Sequence, residues 1–591
     1  MRKILLLAVL ISAFSQLNAQ KWVKPNATNT QYPKTVDRPK LVVGFVVDQM
    51  RWDYLYRFYD RFSKGGFKRL INDGFSAENT LIPYVPTQTA CGHASIYTGS
   101  VPALNGIIAN SWYDPMVGRD MYCVEDKSQQ TVGSTSRAGL MSPKNLQVNT
   151  ITDELRIATN FQAKVISVSM KDRGSILPGG HSANGAYWHD GMSGNWITST
   201  HYMDKLPTWV NEYNALKEGD RFFAKDWNTL YQIETYLNSD SNNVSYEGRF
   251  KDETESSFPH ITKQYIGKNN EMIKSLPYGN TMTIDFAKLA VEKEGLGKDD
   301  ITDFLAISCS STDYIGHQFG PNSIEIEDTY LRLDKDLEEL FNYLDKTVGK
   351  GNYLFFISAD HGVAHAPEFL AKNKIPAERF TSRSLYRSLD TLMQQKFQLK
   401  KSIVTITNDQ VIFDKEVIEN SKLDFTMVKN AAINHLKKQK SVSNAIDLTN
   451  LQNTTLPAEL KTRLANGYNP KLSGDIQIIN HAAWYNSSSP SGIGHGGWYN
   501  YDSHIPLLTG WQDQRHGLTA GEHLRAFLLR MEYEYLQRTE RRLELVKTIS
   551  LRRLFNDAID PQSVGSWEAA LAQLQTTGSL EFKLTHLLFD R

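Results

Sequence analysis

Seven side chains able to ligate zinc mark this sequence: Asp48, Thr89, Asp313, His317, Asp360, His361 and His495. Most stand where an apolar run gives way to a loop. LVVGFVVDQM carries Asp48 near its end, FLAISCSSTDYIGH ends on Asp313 and His317, and YLFFISADHG ends on Asp360 and His361. Buried strands that finish in carboxylate or imidazole predict one metal site along one edge of one sheet, the edge where open α/β sheets place their ligands. Mixed aspartate and histidine donors suit Zn2+, and so many groups exceed the needs of one tetrahedral ion. Two ions about 4 Å apart would use them, and such a pair clamps the attacking and leaving oxygens of a phosphoryl displacement.

The apolar runs themselves read as strands of a mainly parallel sheet, buried on both faces. AKVISVSM (163–170) is another. IEIEDTYLRLDKDLEELFNYLDKTV (324–348) spaces its apolar residues by three and four and lies between two ligand-bearing runs, so it reads as the crossover helix of a βαβ unit. After Asp48, RWDYLYRFYDRF and then GGFKRLINDG predict helix, ended by Gly74. The expected fold is α/β, with a mainly parallel central sheet flanked by helices, a catalytic domain over 20–510, and a helical tail over 511–591. Cap insertions are expected at about 190–300 and 366–480. The first is polar, Trp/Tyr-rich and weakly periodic, as a lid over a site would be. The second mixes strands such as SIVTITNDQVIF with the helix TMVKNAAINHLKKQK.

Lys and Arg number 65, as do Asp and Glu, so the net charge is zero and nothing in it favours nucleic acid as a partner. At the N-terminus, Arg2 and Lys3 precede an apolar stretch (4–14) and Leu17-Asn18-Ala19. This predicts a signal peptide over 1–19 and a mature chain from Gln20, the apolar run being too short to span a bilayer. No other segment is long and apolar enough to cross one, so a periplasmic or secreted protein is expected. Of the cysteines, Cys91, Cys123 and Cys309, an oxidising compartment would permit one disulfide; Cys309, inside FLAISCSS, reads as a buried small residue.

Thr89 lies in PTQTACGHASIYTG. A threonine in a small-residue turn leading into a helix can place its hydroxyl in the open, a zinc ion on that oxygen lowers its pKa, and the helix N-terminus favours anions. The ordinary role of such a threonine is an N-cap, and Thr87 is a competing hydroxyl. Cys91 is followed by Gly92 and His93, not by the Cys-x-Pro-x-Arg pattern that marks a sulfatase cysteine for conversion.

Taken in order, VVDQMRWDYL, TACGHASIYTG, STDYIGHQFGP, SADHG and GHGGWYNYDSHIPLL resemble the alkaline phosphatase superfamily, and within it the PafA-type periplasmic alkaline phosphatases that use threonine as nucleophile. The resemblance runs over about 38–510. It implies two zinc ions, one held by Asp313, His317 and His495 and the other by Asp48, Asp360 and His361, with Thr89 bound to the second as nucleophile. His504 is a rival ligand expected to support the site from behind; His93 and His365, near ligand motifs too, are assigned to packing or to such support. The resemblance also places Asn110 and the Lys171-Asp172-Arg173 segment on the non-bridging phosphate oxygens. An amide and two cations suit a dianion, with Arg173 offering a bidentate fork, so small-molecule phosphate monoesters are the implied substrates. The alternatives are a nucleotide phosphodiesterase using the same metal site and an inactive exported scaffold.

The likeness stops near residue 510. The Asp-Ile-Ala-Pro-Thr segment usual after HIPLL is absent, and LTGWQDQRHGLTAGEHLRAFLLRMEY follows instead. From about Gly517 the tail is similar to the C-terminal region of insecticidal toxin complex A subunits, with KTISL and FKLTHLLFDR as the matching pieces. Before residue 515 there are 37 Lys and 17 Arg; from 515 onward there are 2 Lys and 9 Arg. The switch points to a junction near 509–517, by fusion or as an assembly artefact.

Overall fold

A computed structural model describes residues 38–510. The expected signal peptide and helical tail lie outside these residues.

The main unit takes in residues up to 68 and 77–507. Its central sheet contains β1 (Leu41–Val47), β2 (Thr131–Val132), β3 (Val165–Ser169), β4 (Gly185–His189), β5 (Trp196–Ser199), β6 (Asp303–Cys309) and β7 (Tyr353–Ser358). They lie side by side in the order β7-β1-β6-β3-β4-β5-β2. From β7 to β4 every pairing is parallel, while β5 and β2 add on antiparallel. All of β1 and β6 is buried, which is why their sequences run apolar without alternating.

Register decides where the site forms. Val46 stands opposite Ser358 of β7 and Ser308 of β6, and Ser308 stands opposite Ser169 of β3. The residues that follow these positions therefore emerge together, and they include Asp48, Asp360, Asp313 and Lys171. Parallel strands make this possible, because all their C-terminal ends share one edge.

The helices that serve this edge are α1 (Thr89–Thr98), α2 (Asp172–Gly179), α3 (Ser311–Phe319) and α4 (Ile324–Leu344). The last is the expected crossover. Its Ser323 cap accepts the Ile326 N–H, and Glu325 and Glu327 in the first turn suit the positive end of the dipole. RWDYLYRFYDRF departs from expectation: only Tyr54–Arg57 is α-helical, followed by a single 3₁₀ turn over Tyr59–Arg61. Its aromatic rings pack against one another and against Tyr330, so packing rather than helical periodicity shapes the segment.

Segment 190–300 begins with β5 and ends with the helix Tyr278–Glu294, whose Phe286 stacks on Trp196 at 4.5 Å between ring centres. Within 366–480 lies a separate antiparallel sheet, ordered Ile403–Thr407, Gln410–Phe413, Ile476–Asn480, Val442–Asp447. Its first hairpin turns at Asn408 and Asp409, both left-handed (φ 51° and 55°), the conformation that two-residue hairpin turns favour. Helices Ser382–Phe397 and Phe425–Leu436 pack on this sheet through Leu389, Met393, Val428 and Leu436. A second unit, whose described residues are 69–76 and 508–510, pairs Leu508 with Ser76 and Thr509 with Phe75.

Candidate active site

At the end of β1, Asp48 donates its N–H to Cys309 O and is fully buried. The next residue, Gln49, turns left-handed (φ 66°) and donates its backbone N–H to Asp360 Oδ1 at 3.1 Å. Asp313 and His317 stand one turn apart on α3, so a helix presents both, where a strand end and following turn were expected. Asp360 and His361 follow β7. At Gly362 a Cβ would lie 2.2 Å from Tyr501 O, so close backbone approach is what demands glycine.

Two clusters result, Asp313 with His317 and His495, and Asp48 with Asp360 and His361, each with donor atoms within 4.8 Å of one another. All three imidazoles are oriented alike. Nδ1 of His317 faces Ile493 O at 2.7 Å, that of His495 faces Thr87 O at 2.7 Å, and that of His361 faces Gly362 O at 2.9 Å. A carbonyl oxygen only accepts, so each ring carries a proton on Nδ1 and turns Nε2 inward, where its lone pair can ligate once that nitrogen holds no proton. His317 Nε2 lies 3.2 Å and His495 Nε2 3.7 Å from Asp313 Oδ1; His361 Nε2 lies 3.5 Å from Asp48 Oδ1.

Charge demands more cation than the chain supplies. Lys171 Nζ sits between Asp48 Oδ2 (2.6 Å) and Asp313 Oδ2 (2.5 Å). It is a single ammonium among the buried carboxylates of Asp48, Asp313 and Asp360. Burial pushes the Asp48 carboxyl well above its usual range, and Asp313 and Asp360 add to that push. Burial acts the same way on Asp313, but the charges of His317 and Lys171 outweigh it and hold that carboxyl well below. Asp48 Oδ1 and Asp360 Oδ2 are buried without a hydrogen-bond partner, which is costly unless something cationic meets them. Lone pairs, orphaned oxygens and excess negative charge all fit divalent metal in both clusters.

Thr89 opens α1, with its Oγ1 3.5 Å from His361 Nε2, and is 1% exposed rather than in the open. Gly92, one turn on, lets α1 lie against β7: a Cβ there would stand 2.3 Å from Asp360 O. Thr87 is spent on Gly497 O, and the Cys91 thiol, pushed up by burial, points at Ile107 O. All the cysteines are free and buried. His93 bridges Thr89 O and Ser308 Oγ and approaches Asp360 Oδ2 at 3.3 Å. His504 stacks on Trp52 and reaches Glu78 O, while His365 meets Asn322.

Beside Thr89, a hairpin of Ser111–Asp114 and Arg119–Tyr122 sets the remaining groups. Asn110 enters it and Tyr122, paired with Ser111, leaves it. Asn110 Oδ1 accepts the Ala90 N–H at 2.8 Å, which turns its amide N–H groups away from the helix end. Gln88 Oε1 accepts the Asn110 N–H. Arg173, in the first turn of α2, donates from Nη1 to Tyr122 Oη at 3.0 Å, and Tyr122 Oη donates to Asp172 Oδ1. Arg173 Nε is buried with no hydrogen-bond partner. An amide thus meets the helix N-terminus that carries Thr89, and the hairpin it enters also holds the Arg173 guanidinium through Tyr122, groups suited to a tetrahedral anion. Sequence reasoning missed Gln49, Gln88 and Tyr122. Gln49 and Gln88, each next to a proposed ligand, carried a local signal; Tyr122 did not.

Residues 42–517 match the family model for type I phosphodiesterase / nucleotide pyrophosphatase. The chain belongs to this family, which lies within the alkaline phosphatase superfamily. Alkaline phosphatase PhoV of Synechococcus elongatus is 59% identical over 510 residues, covering 86% of this chain and 92% of that protein. A Myroides odoratus protein named calcium-transporting ATPase is 51% identical over 481 residues, 80% of this chain and 88% of that one. Alkaline phosphatase PafA of Elizabethkingia meningoseptica is 46% identical over 515 residues, covering 86% and 93%. The crystal structure of wild-type PafA superposes with a TM-score of 0.79 at 48% identity, covering 81% of this chain and 92% of that one. A PafA variant substituted at one threonine, one asparagine, one lysine and one arginine superposes with 0.78.

The tail has different relatives. Residues 499–591 match the Tc toxin complex TcA C-terminal TcB-binding domain, and 80 residues are 39% identical to toxin subunit YenA2 of Yersinia entomophaga, covering 5% of that protein.

Proposed function

We propose that this chain is an exported alkaline phosphatase that hydrolyses phosphate monoesters through a phosphothreonine on Thr89, with two zinc ions. The observation that carries the reading is the placement of Thr89 Oγ1 at the His361 cluster and at the N-terminus of α1, where Asn110 Oδ1 accepts the Ala90 N–H. The relatives named alkaline phosphatases support it, as does the PafA variant, whose substituted residue types match Thr89, Asn110, Lys171 and Arg173 in kind and order.

Asp48, Asp360 and His361 would hold one ion and Asp313, His317 and His495 the other. When bound, the pair supplies acidity to the Thr89 hydroxyl and neutralises charge on the attacking and leaving oxygens. Asn110 and Arg173 bind the non-bridging oxygens and fix phosphorus in line with Thr89 Oγ1. Thr89 Oγ1 forms a bond to phosphorus as the bond to the leaving alcohol oxygen breaks. Water then attacks the phosphothreonine, the bond to Oγ1 breaks, and phosphate leaves. Lys171 balances Asp48 and Asp313 and reaches the phosphate edge from between them.

Hydrolysis of an aryl phosphate monoester by the mature chain, with zinc, after chelation, and beside Thr89→Ala, tests this. Zinc-dependent turnover lost in Thr89→Ala is expected. Absence of turnover in folded, zinc-loaded protein would sink the reading and leave the diesterase or the scaffold. The tail after 509–517 is read as a fused segment; one uninterrupted sequencing read across codons 505–525 of the source DNA decides whether the junction is real.

A further inference from the structure

The small antiparallel sheet of the 366–480 segment sends one turn to the candidate active site. Its hairpin of Ile403–Thr407 and Gln410–Phe413 turns at Asn408 and Asp409. Asn408 Oδ1 accepts from Gln88 Nε2 at 3.2 Å, and Asn408 Nδ2 donates to Ser111 O at 2.8 Å. Gln88 immediately precedes Thr89, and Ser111 immediately follows Asn110. Gln88 Oε1 in turn accepts the Asn110 N–H at 2.8 Å. Segments far apart in the chain therefore close a ring, from Asn408 to Ser111, from Asn110 to Gln88 and from Gln88 back to Asn408. One more bond, from the Ala90 N–H to Asn110 Oδ1 at 2.8 Å, fastens the ring to the first turn of α1.

The chemistry of each member fits its place. Gln88 caps α1 in extended backbone, yet its side chain makes no capping bond. Both ends of its amide are used in the ring instead. Position 408 needs a short side chain with a donor on one atom and an acceptor on another. Asparagine meets that need, whereas aspartate would bring no donor. Asparagine also tolerates the left-handed backbone (φ 51°) that the hairpin turn requires there. The ring holds the Asn110 backbone from one side, and α1 holds its side-chain oxygen from the other. The direction of the Asn110 amide is thus set before any phosphate arrives.

We infer that Asn408 is a positioning residue for phosphate binding: acting through Gln88 and Ser111, it holds Asn110 in the pose in which its amide meets a non-bridging oxygen. The inference rests on the role given to Asn110 above for its chemistry and on the ring for its geometry.

The test is a double-mutant cycle on the full chain with zinc, using an aryl phosphate monoester as substrate and inorganic phosphate as competing inhibitor. Asn408→Gly keeps the left-handed turn and removes both amide contacts. It should lower kcat/KM about fivefold and weaken inhibition by phosphate to the same extent, the scale of a lost neutral hydrogen bond. In an Asn110→Ala background the same change should matter less than about twofold, because the group being positioned is gone. Gln88→Met opens the ring from its other side with the hairpin untouched, and should show the same dependence on Asn110. Equal losses with and without Asn110 overturn the inference, since general loosening of the sheet would act that way. Parental activity in Asn408→Gly overturns it too. Hydrogen exchange at the Asn110 and Ala90 amides reads the ring without chemistry, and both should exchange about fivefold faster in Asn408→Gly than in the parent. Faster exchange in a protein that turns over no ester upholds the hold on Asn110 and defeats the phosphatase reading alone. Unchanged exchange overturns the inference whatever the turnover.

Discussion

Gln49 Nε2 donates to Asp313 Oδ1 at 2.7 Å from a backbone held left-handed, while the same residue's N–H holds Asp360. One residue thus ties the two donor clusters together, by its side chain to one and its backbone to the other, and α3 makes room for the side chain: a Cβ on Gly316 would stand 1.9 Å from Gln49 Oε1. A non-glycine residue in that conformation costs about 1 kcal/mol, so the surrounding contacts must over-determine it. Gln49→Ala removes the link and leaves every proposed ligand in place. Zinc should leave the variant about tenfold more readily than the parent, as loss of a supporting hydrogen bond does elsewhere. Metal content after graded chelation measures it, and equal retention would show that Gln49 only fills space.

Arg173 is aimed by Tyr122, and the unpaired Nε makes a substrate oxygen its natural partner. Arg173→Ala should lower kcat/KM for an aryl monoester by about a hundredfold, the scale of losing one preorganised donor. A diester carries one less charge to meet and should lose far less. Tyr122→Phe should reproduce the direction at about fivefold, through misplacement of the guanidinium rather than its loss. If monoester and diester rates fall alike, Arg173 does not discriminate by charge.

The sheet is legible in the sequence because β1, β6 and β7 are buried nearly throughout, and burial writes itself as an unbroken apolar run. The carboxylates are legible because they follow those runs closely. The support behind them is not. Tyr122 reaches Arg173 only because its hairpin pairs Ser111 with Tyr122, and register of a short polar hairpin leaves little trace in composition. STDYIGH reads as a strand end and turn because its polar residues hide the periodicity of α3. A glycine in a sequence shows that a Cβ is absent, not whether backbone angle or a neighbouring carbonyl requires it.

Gly92 lets α1 approach the backbone of Asp360 closely. Gly92→Ala would push its Cβ into Asp360 O, backbone that cannot swing aside. Overpacking of this kind costs about 1–3 kcal/mol and shifts the helix that opens on Thr89. The expected result is a kcat lowered by more than about tenfold in protein that still takes up zinc, since none of the donor side chains is altered. Activity and metal content measured on one preparation check this. A variant with parental kcat would mean that α1 tolerates displacement.

Asp153 offers a pH-dependent prediction away from the metal-bearing residues. It completes the capping box with Thr150 at the start of helix Ile151–Ala158 and accepts from Ser182 N and Oγ and from His181 Nδ1. Burial opposes its ionisation, but the hydrogen bonds from His181, Thr150 and Ser182 prevail and hold the carboxyl below its usual range. The hydrogen bond to Asp153 raises His181, which burial only partly offsets. A depressed carboxyl stabilises the fold above its unfolded pKa of about 4 and loses that contribution as pH falls through the folded value. A raised imidazole contributes fully below its unfolded pKa of about 6.5 and loses its share as pH rises through the folded value. The two windows overlap between about pH 4 and 6.5, where carboxylate and imidazolium coexist. Asp153→Asn should therefore cost about 1 kcal/mol from the cap at any pH in that range. The additional loss from the ion pair should be greatest between these limits and fade above them, kept small because His181 is more than a third exposed and screened. Melting temperatures of parent and variant across about pH 4 to 9 measure the difference. A gap that widens toward alkaline pH would show that the partner of Asp153 is not a protonated His181.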